Sequence, residues 1–238
     1  VAESYIRDRD LKQTTIKDIR KHLKDADNRR AGGVFKDWKD KPIKTITRDD
    51  CLALFRKRSA ESPAQANQAF RILRALFNYA IEVYKPAITE NPVQVLSGAG
   101  IWNTIKPKNR KIPIADIGRA WKKLEEIKTE PSLGIAGHSM VDAVKFCLLT
   151  GCRWGEAQKL TWKNVDIVNQ TWHIADPKNT NSVTLPLSNQ AVELLEDRFR
   201  TENNSFVFCS EKSKTGHIGP GRYVTDRIAA DLEIELSP

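Results

Sequence analysis

The chain has 238 residues, of which 40% are hydrophobic and 29% charged, a composition that excludes an intrinsically disordered protein and fits one large domain or two small ones. Lys and Arg outnumber Asp and Glu by 39 to 30, and residues 1–98 contain most of the excess, with 20 cations against 13 acids. This positive charge favours a polyanionic partner, most simply nucleic acid, although a basic soluble protein without such a partner has the same composition.

Residues 1–97 show repeated helical periodicity. Apolar residues at spacings of three and four predict a helix over 14–23. A hydroxyl cap followed by two acids begins a second helix over 47–59, and a proline in the first turn begins a third over 62–84. The third helix keeps its apolar face for about six turns. We therefore predict an all-helical bundle for this part of the chain.

Residues 98–113 break this periodicity. They contain two glycines and two prolines together with the basic residues Lys106, Lys108, Arg110 and Lys111. This composition is typical of an interdomain linker. Such a basic linker can follow a phosphate backbone. The same composition is equally typical of a solvated connector that has no binding partner.

Residues 114–238 predict a domain of mixed α and β structure. The predicted helices span 114 or 116 to 127, 138–149, a short stretch through 160, 188–200 and 220–232. Alternating apolar residues predict two strands over 171–175 and 182–187, joined by a polar turn, and a short buried extended piece over 206–208.

The cysteines and the apolar runs limit the class of protein further. The four cysteines, Cys51, Cys147, Cys152 and Cys209, form no C-x-x-C pair, and Cys51 and Cys147 fall within apolar helical patterns. We expect no disulfide framework, no metal site and no cofactor, as in a reducing cytoplasm. No apolar run is long enough to span a membrane, and no secretory signal is recognisable.

The most specific local pattern is T-G-C-R-W-G-E at residues 150–156. It places Arg153 behind a glycine turn, at the start of a short helix that follows a buried one. The guanidinium offers a planar fork of donors, and a helix start adds N–H groups, so this arrangement can hold a phosphate. From the local pattern alone, a surface arginine after a turn is equally well supported. Glu156 lies on the same helical face as Arg153 and would orient the guanidinium or cap the helix.

The order of these features resembles the tyrosine recombinase family, the phage and prophage integrases. Residues 150–156 resemble the family's first catalytic arginine box, which Q-K-L-T-W at 158–162 continues. Lys178, in the turn between the two predicted strands, matches the family's hairpin lysine, and V-T-L-P-L at 183–187 resembles the strand that follows it. The resemblance covers nearly the whole chain.

The resemblance implies a mainly α fold with a small antiparallel β-hairpin or sheet. Residues 1–97 would be the core-type DNA-binding domain, a SAM-like helical bundle. After the basic linker at 98–113, residues 114–238 would form an α+β catalytic domain of the DNA breaking–rejoining type, incomplete at its C-terminus.

One departure from the family pattern is large. The family's second box, His-x-x-Arg, and its nucleophilic tyrosine lie further downstream. His217 is followed by Ile-Gly-Pro and does not supply the box, and Tyr223 precedes its expected position, so we assign Tyr223 to helix packing. We therefore expect an internal part of a longer recombinase, without the arm-binding domain that often precedes the bundle. This part would bind DNA without cleaving it.

The resemblance also implies residue roles. Arg153 would grip the scissile phosphate, and Lys178 would protonate the leaving 5′-oxygen or position the DNA. Without the resemblance, Lys178 is better explained as an ordinary exposed turn lysine. Glu156 would support the Arg153 guanidinium. The cations assigned to DNA binding are Lys106, Lys108, Arg110 and Lys111 of the linker and Arg71 and Arg74 of the long helix, although a solvated helix face explains the last two as well.

The implied function is site-specific DNA recombination, the integration or excision of a phage or mobile element. The complete protein would act as a homotetramer on double-stranded DNA through a 3′-phosphotyrosyl intermediate, in the cytoplasm of a bacterium, without a metal, a cofactor or a membrane partner. The alternative is a non-catalytic DNA-binding accessory or architectural protein. A helical scaffold whose basicity is incidental is a third, weaker hypothesis.

Overall fold

Caps and apolar periodicity divide the chain into helices largely as the sequence predicts. The structure is a computed structural model that describes residues 1–25, 32–85, 87–108, 110–175, 181–201 and 203–236. The chain divides into two compact units, residues 1–107 and 108–238. The division falls within the segment predicted as a linker.

Residues 1–107 form a helical unit. Its α-helices are α1 (Ala2–Arg7), α2 (Gln13–Leu23), α3 (Arg48–Glu61), α4 (Pro63–Val83) and α5 (Gln94–Gly98), with 3₁₀ turns at Lys36–Trp38 and Ile43–Thr45. A capping box begins α3, because the Thr47 hydroxyl accepts the backbone N–H of Asp50 and the Asp50 carboxylate accepts that of Thr47. The hydroxyl and the early acids of the sequence predict this helix start correctly.

The core of this unit lies on the apolar face of α4. The Phe70 ring lies edge-on to Phe55 with 5.2 Å between centroids, and Phe55 in turn lies edge-on to Trp102 at 5.6 Å. The Asn67 side chain and the Asn103 backbone exchange two hydrogen bonds of 2.8 and 3.1 Å. The first residues of the predicted linker therefore belong to this unit's packing.

Residues 108–238 form the second unit. Its elements are a 3₁₀ turn at Ile114–Asp116, α6 (Ile117–Lys128), α7 (Gly134–Thr150), α8 (Trp154–Gln158), a 3₁₀ turn at Trp162–Asn164, β1 (Val165–Asp166), β2 (Thr171–Ile174), β3 (Val183–Pro186), α9 (Asn189–Glu196) and α10 (Arg222–Leu232). The strands form an antiparallel sheet in the order β1-β2-β3, with Trp172 opposite Val165 on one side and Leu185 on the other. The fold is mainly α with a small antiparallel sheet, as the sequence predicts.

The sheet packs on α7 through aromatic side chains. The buried Trp172 ring lies edge-on to Phe146 at 5.2 Å, and Phe146 contacts Phe208 at 5.6 Å. A second apolar cluster joins α6, α7 and α10. The helix α7 therefore lies between the two clusters, and its C-terminal end is fixed from both sides. None of the described helices combines the length and the apolar composition needed to cross a membrane.

Some boundaries differ from the sequence expectation. The helix α9 ends at Glu196, whereas the prediction extended it to 200, because Arg198 turns inward and donates to Asp142 at 2.8 Å. The last helix begins at Arg222, two residues later than predicted, with Gly221 as its N-cap. The short elements α1, α5 and β1 were not predicted.

Candidate functional site

A left-handed glycine directs the chain from α7 into the arginine turn, which we define as residues 150–156. Gly151 has φ +67°, and its N–H donates to the carbonyl of Cys147 at 2.9 Å, which closes the end of α7. A side chain at this φ would strain the backbone, which explains the glycine. The Thr150 hydroxyl donates to the carbonyl of Phe146 at 2.7 Å. The turn therefore starts from a fixed point at the end of a buried helix.

Arg153 is held at both its backbone and its side chain by Glu156. The backbone N–H of Arg153 donates to Glu156 Oε2 at 2.9 Å, and its Nη1 donates to Glu156 Oε1 at 2.8 Å. The Glu156 side chain is only 12% exposed, whereas that of Arg153 is 62% exposed. Among the described residues, no other acceptor bonds to this guanidinium. Because a guanidinium has five N–H donors, the exposed side of Arg153 retains donors for an external anion.

The short helix α8 is fixed against the segment that leads into α10. The Gln158 side-chain amide donates to the carbonyls of Ile218 and Gly219 at 2.8 and 2.9 Å. The Trp154 indole packs on Gly221 so closely that a Cβ there would lie 3.0 Å from the ring. These contacts hold Trp154 and Gln158, which follow Arg153 in the chain, and leave the guanidinium itself exposed.

The strands that flank Lys178 form the stem of the predicted hairpin. Lys178 lies outside the described residues, as does the whole stretch 176–180, so its position stays a prediction. Ile174 of β2 pairs with Val183 of β3, and His173 Nδ1 lies 3.0 Å from the Thr184 hydroxyl. Within the described ranges, no three His, Cys, Asp or Glu side chains come together as metal ligands would.

Residues 122–226, which include the arginine turn and both hairpin strands, match the Phage integrase family. Prophage integrase IntZ of Escherichia coli K12 is 31% identical over 193 residues, which are 79% of this chain and 42% of that protein. Residues 122–226 therefore form a phage integrase domain. A putative integrase/recombinase of Haemophilus influenzae is 28% identical over 77% of this chain and 45% of its own length. The chain thus spans less than half the length of these curated relatives.

Solved structures show the same fold. The lambda integrase tetramer bound to a Holliday junction matches 97% of this chain and 64% of its own, with a TM-score of 0.63 at 18% identity. The Tn1549 transposon integrase in complex with circular intermediate DNA matches 100% of this chain and 80% of its own, with a TM-score of 0.65 at 17% identity. At these identities the likeness shows the fold alone.

In the first unit, the predicted DNA-binding cations differ in their surroundings. Arg71 of α4 and Lys106 are exposed. Arg74 is only half-exposed, and its guanidinium lies 5.6 Å from the centroid of the Trp102 ring. This cation–π contact gives Arg74 a packing role that the sequence did not indicate.

In the second unit, Arg110 also has a partner. The Arg110 Nη2 lies 2.8 Å from a carboxylate oxygen of Glu235, and this carboxylate neutralises part of the positive charge of Arg110. Lys108 and Lys111 are exposed and line an open pocket with Arg110 and Glu235. The sequence presents the linker cations as one basic run, but the Glu235 carboxylate makes Arg110 less available to a phosphate than the exposed lysines.

The sequence suggests Trp154 as a packing residue but does not indicate that Gln158 fixes α8 in place. Trp154 and Gln158 line an open groove together with Pro220 and Arg222. Arg222 is exposed, so a second arginine lies at the groove that Trp154, the neighbour of Arg153, also lines. The pattern Gly-Pro-Gly at 219–221 was the available signal, since adjacent glycines and proline mark a restricted chain path.

Proposed function

We propose that the protein containing these residues catalyses site-specific DNA recombination, the integration or excision of a phage or mobile element. The observation that carries the proposal is the paired Arg153 and Glu156 in a segment that matches the integrase family. The carboxylate orients the guanidinium from one side, and the exposed side offers its remaining donors to a phosphate. The curated relatives are named as integrases, which supports the same activity.

Phosphodiester exchange without a metal needs a nucleophile, a cation for the non-bridging oxygens and an acid for the leaving oxygen. In our proposal Arg153 supplies the cation and Glu156 positions it. Lys178 protonates the leaving 5′-oxygen or positions the DNA. A tyrosine outside residues 1–238 attacks phosphorus, so that a 3′-phosphotyrosyl bond forms as the bond to the 5′-oxygen breaks.

Binding to double-stranded DNA would use backbone contacts from exposed cations. Arg71, Lys106, Lys108 and Lys111 are exposed and suit this role. Arg74 and Arg110 would contribute less, because Trp102 and Glu235 already engage them. The complete protein would act as a homotetramer, as in the tetrameric lambda integrase complex, in the cytoplasm of a bacterium.

Residues 1–238 alone would bind DNA and leave it uncut, because they contain no His-x-x-Arg sequence. Incubation with a nicked suicide substrate tests this statement. We expect a salt-sensitive complex and no covalent adduct. A covalent adduct would show that a nucleophile within these residues had been overlooked.

Recombination by the longer protein tests the role of Arg153. Arg153→Ala is expected to lower the rate by about 10²-fold or more, and Arg153→Lys to restore little of it, because lysine lacks the planar fork. Arg119→Ala is the matched control, since Arg119 is an exposed arginine of α6 in the same unit that is paired with Asp231. Unchanged recombination in Arg153→Ala would favour the accessory DNA-binding protein instead.

A further inference from the structure

Two cysteine sulfurs meet beside the arginine turn. Cys147 lies in the last turn of α7 and Cys152 directly precedes Arg153, with their Sγ atoms 3.7 Å apart. Both residues are half-buried, so that small solutes can reach them. Cys51 and Cys209 are fully buried and lie elsewhere. The chain therefore contains one accessible pair of neighbouring thiols and two enclosed single thiols.

The backbone between the two cysteines explains their proximity. Gly151 adopts its left-handed conformation between them, and this turn brings the Cys152 side chain back towards the helix end. The Cys152 N–H lies 3.4 Å from the Thr150 hydroxyl oxygen, which in turn donates to the carbonyl of Phe146. The sulfurs are therefore held near each other by a fixed turn.

The two thiols are chemically unequal. The side-chain contact with the Cys147 sulfur lowers the pKa of Cys152. The same contact, together with burial, raises the pKa of Cys147. Burial also raises the pKa of the isolated Cys51 to about 12. Since the thiolate is the reactive form, we expect Cys152 to react first with an oxidant and Cys147 to react afterwards with the oxidised Cys152.

We propose that Cys147 and Cys152 form a reversible disulfide, a redox modification site that joins the end of α7 to the residue preceding Arg153. With hydrogen peroxide as oxidant, the Cys152 sulfur attacks one peroxide oxygen, the O–O bond breaks, and a sulfenic acid and water form. The Cys147 sulfur then attacks the Cys152 sulfur, the S–O bond breaks, and a second water leaves with the remaining thiol proton. Two thiols and one peroxide become one disulfide and two waters.

The consequence for Arg153 rests on the proposed function. A disulfide requires the sulfurs to approach to about 2.0 Å, which pulls on the backbone of Cys152. The next N–H along the chain is that of Arg153, which donates to Glu156 at 2.9 Å. Oxidation therefore acts directly on the residues that present the guanidinium, and we expect it to weaken DNA binding several-fold.

Peptide mass analysis tests the modification without reference to DNA. Trypsin cuts after Lys145 and Arg153, so both cysteines fall in one peptide, residues 146–153. After treatment of the folded protein with hydrogen peroxide, acid quenching, denaturation and alkylation, we expect this peptide unalkylated and about 2 Da below its dithiol mass. Dithiothreitol should restore two alkylation sites. Cys51 and Cys209 are the internal controls and should remain alkylated throughout.

Two variants complete the experiment. In Cys147→Ser the resolving thiol is absent, so Cys152 should stop at a sulfenic acid or form bonds between molecules. In the double serine variant, peroxide should no longer change DNA affinity. The proposal fails if peptide 146–153 of the parent chain remains fully alkylated, or if Cys152 is oxidised to a sulfinic acid while Cys147 stays free. If the disulfide forms but the reduced chain does not bind DNA, the modification site stands and the proposed function fails.

Discussion

The carboxylate of Glu156 holds Arg153 twice, at the backbone N–H and at Nη1. The first bond satisfies a donor at the start of α8, and the second fixes the direction of the guanidinium. The same side chain therefore stabilises the short helix and orients the cation.

The two bonds of Glu156 make separable contributions. Glu156→Gln keeps an acceptor for the backbone N–H and loses the ionic partner, so it should cost less than about 1 kcal/mol of unfolding free energy. Glu156→Ala loses both bonds and should cost about 1–2 kcal/mol. Urea unfolding followed by circular dichroism measures the difference. Equal stability of the two variants would mean that the backbone bond contributes nothing.

The contact between Gly221 and Trp154 predicts an overpacked site. A Cβ at position 221 would lie 3.0 Å from the indole ring, whereas one at Gly219 meets nothing within 4 Å. Gly221→Ala should therefore lower the unfolding free energy by about 1–3 kcal/mol, and Gly219→Ala should change it little. Urea midpoints of the two variants test this pair. Similar midpoints would show that the indole can move aside at no cost.

The buried guanidinium of Arg198 is predicted to be essential for the second unit. Its side chain is 1% exposed and donates to Asp142, to the Ser139 hydroxyl and to the Val207 carbonyl. Arg198→Met keeps the aliphatic stem but leaves Lys128 as the partner of the buried Asp142 carboxylate and removes the donors to Ser139 and Val207, which should cost up to about 3–5 kcal/mol.

The pair of the exposed Arg119 with the half-buried Asp231 is the control for that prediction. Arg119→Ala should change the unfolding free energy by less than about 1 kcal/mol. Comparable urea midpoints for Arg198→Met and Arg119→Ala would contradict the buried network as a source of stability.

His22 is expected to make the stability of the first unit depend on pH. Its ring is buried against Phe35, and burial, followed by the charge of Lys21, lowers the pKa of His22 below its ordinary value, while Asp18 opposes the shift and Arg58 adds to it. A lowered folded pKa means that the unfolded chain binds the proton more readily. Stability should therefore be constant above about pH 7 and should fall as the pH decreases through about 6.5 towards the folded pKa.

Replacement of the ring isolates this contribution. In His22→Gln the slope of unfolding free energy against pH between 7 and 5 should be smaller than in the parent chain. Urea unfolding at a series of pH values provides the slopes. Equal slopes in the two proteins would exclude His22 as the titrating group.

The sequence predicts local structure well where one short segment decides it. The hydroxyl of Thr47 and the acids that follow it are enough to place the start of α3, and the glycine of the arginine turn is enough to end α7. Two-residue strands such as β1 carry no such signal, since their pairing with β2 is decided by packing.

Contacts between distant residues account for what could not be predicted. Arg198 appears in the sequence as the next turn of an exposed helix, and only Asp142, 56 residues earlier, explains why it turns inward. Arg74 and Arg110 appear as free cations, but Trp102 and Glu235 engage them. Cys147 and Cys152 escape a search for C-x-x-C spacing, because the left-handed Gly151 is what brings them together.

The salt dependence of DNA binding by Arg153→Ala tests the central claim most directly. If Arg153 contacts a backbone phosphate, the variant should bind duplex DNA more weakly than the parent chain, and the slope of log K against log salt concentration should be shallower by about one. Arg119→Ala should retain the parent slope. An Arg153→Ala variant with the affinity and the slope of the parent chain would show that this guanidinium does not meet the DNA backbone.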